Sequence, residues 1–190
     1  SIRNLKNQQA EKSINQANTA LGWMRKTFQF FNVKLLKICY PTYIRSYLEF
    51  ATPVWNVLSE KLITKIESIQ RRATKMVFEI RSLSYEERLN ALGLTTLELR
   101  RKRTDLIQTY KIINGIDEVD IDMGSGNLRQ NGRNLINHGH QIEKEIPGSN
   151  PMRNCSLPNR TATNWNILPS EVVRSDTVDI FKKRIDEHMR

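Results

Sequence analysis

Lys61, Lys65, Arg72 and Lys75 follow one another at intervals of four, seven and three residues. On a helix those intervals bring all four to one edge. A row of cations along a helix edge suits the repeating phosphates of a nucleic-acid backbone. Further on, Arg100, Arg101 and Lys111, with Thr104 and Gln108, fall on the helical face opposite Leu99, Leu106, Tyr110 and Ile113. The chemistry such residues offer is binding: charge neutralisation and hydrogen bonds to phosphate and sugar, with little information about the base. Residues suited to other chemistry are poorly placed. His138 and His140 flank Gly139 with no acid or thiol at metal-ligand spacing. Asp117, Glu118, Asp120 and Asp122 lack the register and terminal Glu of a calcium loop. Cys39 and Cys155 stand too far apart in sequence for a zinc knuckle or a disulfide framework. Phosphate-binding, dinucleotide and nucleophile-elbow fingerprints are missing. The sequence therefore predicts a chain that binds, with no catalytic residues and no metal site of its own.

The elements that must position the cations can be read from periodicity and caps. SEKLITKIESIQRRATKMVFE, residues 59–79, predicts a helix with Leu62, Ile66, Ile69, Ala73, Met76 and Val77 as its apolar stripe. Ser84 and Glu87 form a capping box for a short helix stopped by Gly93. Thr95 and Glu98 predict a second box, opening a helix that Gly115 ends. Upstream, residues 2–31 read as one long helix carrying Leu5, Ile14, Ala17, Leu21, Met24 and Phe28. Gly22 lies inside it at a cost of about 1 kcal/mol relative to Ala, which suggests close approach by another helix. Residues 33–50 predict a second helix, kinked or split near Tyr40 by Pro41. Ala51 to Leu58 then connects, with Trp55 as a core anchor.

After Gly115 the pattern changes. Residues 116–134 read as a flexible linker, acidic and then rich in Gly and Asn. Residues 134–158 carry hints of a short strand or hairpin. A short helix is expected over 159–165, a helical turn in ILPSEVV, and a last helix capped by Thr177 with Val178, Phe181 and Ile185 facing inward. The expected fold is mainly α: a basic helical bundle over 1–115, the linker, and a C-terminal extension over 135–190 ending in a helix.

Charge is distributed unevenly over the 190 residues. The chain carries a formal +10, yet residues 1–115 hold 20 Lys and Arg against 9 Asp and Glu, a net of +11. Residues 116–190 hold 10 against 11, a net of −1. An acidic partner is thus expected to meet the first part. No run approaches the roughly 20 apolar residues of a membrane helix. Two distant thiols suit a reducing compartment, so an intracellular location, nuclear or cytoplasmic, is expected. The opening at Ser1 without Met suggests a fragment or a processed product.

The run IQRRATKMVFEIRSLSYEERLNALGLTTLELRRKRTDLIQTYKIING resembles the segment that follows the polymerase palm in reverse transcriptases of non-LTR (LINE-type) retrotransposons. LGWMRKTF and YLEFATPVWN lie before it in the same order as in that family. Gly139-His140, NRTATNWNILPSEVV and FKKRID lie after it. The resemblance covers nearly the whole chain, with one departure: the family's proline lies nearer the position of Ser46 than that of Pro41. It implies a thumb, a helical bundle gripping the template–primer duplex, followed by a C-terminal extension. It also implies an upstream palm in the same polypeptide, whose carboxylates and Mg²⁺ would perform polymerisation. The aromatic-Ala-Asp-Asp turn of that palm does not occur in this chain, which is expected to be no enzyme alone and to hold no cofactor. The implied partners are template RNA and an RNA–DNA duplex or DNA, met through Lys61, Lys65, Arg72, Lys75, Arg100, Arg101 and Lys111, and no membrane. Two other readings fit the same residues: a helical protein-interaction domain from a decayed or repurposed element, and a sequence-specific helix-turn-helix binder. Glu86 and Glu87 open the short helix that a helix-turn-helix would place against phosphates, which argues against the last.

Overall fold

Apolar residues at helical spacing carry most of the described chain into helices. The computed structural model describes residues 2–49, 60–119, 140–142, 144 and 156–189. In order these form α1 (Ile2–Thr27), α2 (Val33–Tyr40), a π-helical segment (Pro41–Arg45), α3 (Ser46–Glu49), α4 (Glu60–Thr74), a 3-10 turn (Phe78–Ile80), α5 (Tyr85–Leu92), α6 (Leu97–Ile113), α7 (Leu157–Asn166), α8 (Ser170–Val173) and α9 (Val178–His188). Among the described residues there is no strand; one isolated parallel bridge joins Phe31 and Val77. The mainly α fold expected from periodicity is the one observed. Trp55, the linker beyond Val119, the hairpin expected over 134–158 (apart from His140–Ile142, Lys144 and 156–158), His138 and Cys155 lie outside the described residues.

The chain divides into two compact units, Ser1–Arg101 and Lys102–Arg190, so the division falls inside α6. Leu97, in the first turn of that helix, joins one hydrophobic core, while Leu106 and Tyr110 join another. Gly115, where composition changes, closes the helix. Its φ is 64°, and Ile116 N donates to Lys111 O at 2.8 Å.

In the first unit, Ile14, Ala17, Leu21 and Met24 of α1 pack with Ile66, Ile69 and Ala73 of α4 and with the α2–α3 region. That region buries Leu36, Tyr40, Ile44 and Leu48, spaced by four. In an α-helix each such step overshoots a full turn by about 40°, so three steps would carry Leu48 about 120° off the face. The π segment has wider turns and takes that drift back. Pro41 opens it, directly after α2 and without an N–H to offer the preceding turn, and the hydroxyls of Thr42 and Ser46 donate to Ile38 O (2.9 Å) and Thr42 O (2.8 Å). The Pro41 irregularity is therefore a widened turn.

Gly22 differs from expectation. It is exposed, with nothing among the described residues within 4 Å of where a Cβ would stand, so no described helix approaches it. α4 also stops earlier than its stripe predicts, at Thr74. There Thr74 Oγ1 donates to Arg71 O (3.0 Å) and accepts from the buried Arg88 Nε (3.1 Å), and Arg88 also donates to Leu83 O. Val77 is extended instead (φ −77°, ψ 114°) and bridges to Phe31. α6 is capped one residue later than expected: Thr96 Oγ1 accepts from Leu99 N at 3.2 Å.

The second unit closes around Trp165, Phe181, Leu168 and Ile185. Tyr110 stacks on Phe181, centroids 4.2 Å apart. Trp165 Nε1 donates to His140 O (2.7 Å), and the Asn166 side chain exchanges two hydrogen bonds of 2.9 Å with the Ile142 backbone. Arg160 grips the buried Asp105 with two contacts of 2.8 and 3.0 Å. Thr177 caps α9 as expected, and Phe181 and Ile185 point inward.

Candidate nucleic-acid interface

Burial of Leu62, Ile66, Ile69 and Ala73 fixes which way α4 faces, and the cations follow from that. Lys61, Lys65, Arg72 and Lys75 are all exposed. They span about 80° of arc and about 21 Å of helix at ideal geometry. None has an ion-pair partner among the described residues. Glu67, on the same helix, is taken up elsewhere: it accepts from Tyr85 OH and from Leu97 N (3.1 Å). Arg72 Nη2 donates to Asn18 Oδ1 of α1, which holds that guanidinium at the α1–α4 junction. Arg71 leaves the row and lies over the Tyr85 ring, 4.1 Å from its centroid.

The cations of α6 are placed differently. Arg100, half-buried, makes a two-pronged ion pair with Glu49, Nη2 to Oε2 being 3.0 Å. Arg101 is a correction: spacing predicts it on the polar face, but it is only 7% exposed. It lies four residues from both Leu97 and Asp105, and all three are on the buried edge of the helix. Lys111, in the second unit, is half-buried and 3.4 Å from Asp117. Lys61, Lys65 and Arg72 of α4, with Lys75 in the turn directly after it, thus stand together on one exposed face. Arg100, Arg101 and Lys111 do not present a comparable one.

Sequence reasoning missed the end of α1. Arg25 and Gln29 face the C-terminal part of α4 across a cleft of about 370 Å³, bordered also by Arg72 and Lys75. Its remaining walls are Leu21, Phe28, Phe31 and Met76, and no acidic residue lines it. Arg25 and Lys26 in the last turn of α1 were a visible signal, but basic residues there also complement the helix dipole and so attract no notice.

This arrangement can neutralise several phosphates along one line and donate hydrogen bonds to them. Among the described residues no group of three or more His, Cys, Asp and Glu could hold a metal ion. His140 is exposed, and its carbonyl serves Trp165. No described helix is long and apolar enough to cross a membrane. Comparison with protein-family models, curated proteins and solved structures finds no match for this chain.

Proposed function

We propose that this chain is the thumb and C-terminal extension of a non-LTR retrotransposon reverse transcriptase, a non-catalytic region that grips a template–primer duplex by its backbone. The observation that carries the reading is the α4 row: three exposed cations on one helix edge and a fourth, Lys75, in the turn that follows, none with an ion-pair partner among the described residues. The concentration of positive charge in residues 1–115 supports it, as does the resemblance of the ordered sequence blocks to that family. Phosphate and sugar contacts of this kind position a duplex without reading its sequence. Polymerisation, with its carboxylates and Mg²⁺, belongs in this reading to an upstream palm.

Titration of the full chain against one RNA–DNA duplex over a range of salt tests the proposal. Engagement of all four cations gives a log–log slope of about −3 to −4, because each neutralised phosphate releases most of a counterion. Lys65→Ala with Arg72→Ala should flatten that slope by about two and weaken every sequence alike. Arg71→Ala should change it less, since that guanidinium is against Tyr85. The exposed Trp23, Ile38 and Tyr43 favour a second reading, a protein-interaction domain. Identical slopes for wild type and double variant would move the assignment there.

A further inference from the structure

The α4 row does not end at its last cation. Arg72 and Lys75 also border the cleft at the end of α1, where Arg25 and Gln29 meet them. Duplex phosphates explain the cations and leave the rest unexplained. Phe28 and Met76 are half-buried there, and Phe28 meets Phe31 edge to face at 5.2 Å, so the cleft offers apolar and aromatic surface amid positive charge. Arg25 and Lys75 have no ion-pair partner among the described residues, and Arg72 makes one hydrogen bond, to Asn18. At about 370 Å³ the volume lies within the range of small-ligand sites, about 300 to 1,000 Å³. A lone anion needs no apolar wall. A base bearing its own phosphate uses both halves of the site.

We propose that this cleft takes one unpaired nucleotide of a strand that leaves the duplex, its base against Phe28 and Met76 and its phosphate among Arg25, Arg72 and Lys75. The inference rests on the backbone-gripping reading and names a second ligand state for the same face. Every base has a π-face, so binding of this type tolerates sequence. The Gln29 amide, donor and acceptor at once, meets either kind of base edge.

The test uses the full chain and three labelled probes at one salt concentration: a blunt RNA–DNA duplex, an oligo(dT) octamer, and an octamer of abasic sites with the same charge. Oligo(dT) should bind about tenfold tighter than the abasic strand, the scale of one stacked base. Arg25→Gln with Lys75→Gln, both exposed, should weaken both single strands, and an octamer carrying 5-iodouracil should photo-cross-link to Phe28 or Met76. Equal affinity for the two octamers overturns the inference, as does cross-linking confined to other helices or equal competition by inorganic phosphate. If the duplex still binds with a slope sensitive to Lys65, the backbone-gripping reading survives that loss. If the duplex does not bind but oligo(dT) cross-links to the cleft, the duplex reading falls and the nucleotide site stands.

Discussion

Gln70 is fully buried and uses its whole amide: it accepts from Tyr40 OH and donates to Tyr85 OH (2.9 Å) and Thr95 O (3.0 Å). Gln70→Leu fits the space but removes the partner of Tyr40 OH and Thr95 O. It should cost about 1–3 kcal/mol, read as a lower urea midpoint at unchanged slope, because the buried Tyr40 hydroxyl loses its acceptor while the Thr95 carbonyl, on an exposed residue, can turn to water. The same network makes stability depend on alkali. Burial pushes both phenols above their ordinary value, and for Tyr85 the hydrogen bond to Glu67 adds to this. A raised folded pKa means the folded state keeps protons that the unfolded chain releases. That stabilisation is complete below about pH 10, the ordinary tyrosine value, and is lost as pH rises from there toward the folded values. Urea midpoints should therefore decline above about pH 10, and more shallowly in Tyr85→Phe; an identical decline would acquit the tyrosine. Little of this could be read in the sequence. Arg101 sits in a run of basic residues, LRRKR, where nothing local says which one turns inward, and the partner of Asp105 is Arg160, far along the chain.

Elements whose ends are set by near neighbours were legible. The Ser84–Glu87 box closes in both directions, 3.3 Å and 2.8 Å, and Gly93 takes φ 66° after it, all within ten residues of one another. Thr177 and Gly115 belong to the same class. The end of α4 does not, because Arg88 and Phe31 set it from outside the helix. Gly22 shows the reverse error, since local sequence proposed a tertiary reason that the packing lacks. It is a helical Gly with open space around it among the described residues. Gly22→Ala should stabilise the chain by about 0.5–1 kcal/mol through the unfolded state, seen as a higher urea midpoint. A lower midpoint would mean that the glycine serves a contact the folded packing does not reveal.

At the scale of the whole molecule, composition says more about the kind of partner to expect than about the architecture. The surplus of Lys and Arg in residues 1–115 pointed to an anionic ligand before any helix was placed. The existence of two cores was harder to see. α6 reads as one uninterrupted amphipathic helix, and only packing reveals that Leu97 and Leu106 serve different hydrophobic clusters. The candidate site was legible in part for the same reason. A helix edge is a property of one segment and can be counted off in sequence. A cleft between α1 and α4 joins residues nearly fifty positions apart, and its aromatic wall reads locally as core.

The widened turn at Pro41 amounts to one residue more than the packing requires. Removing a single position between Tyr40 and Ile44 would change the buried set from steps of four, four and four to steps of four, three and four. That second pattern is the spacing at which an ordinary α-helix keeps one face. Deleting Pro41 supplies this register and also discards the residue least compatible with a helix interior. The segment thus behaves as a spliced-in letter that the reading frame of the helix can lose. Pro41-deleted protein should stay folded with a melting temperature within a few degrees of the parent. Deleting Ser68 should be far more damaging, because it swings Ile66 and Ile69 about 100° out of step. Equal damage from the two deletions, measured by thermal melting, would show that the extra residue is indispensable.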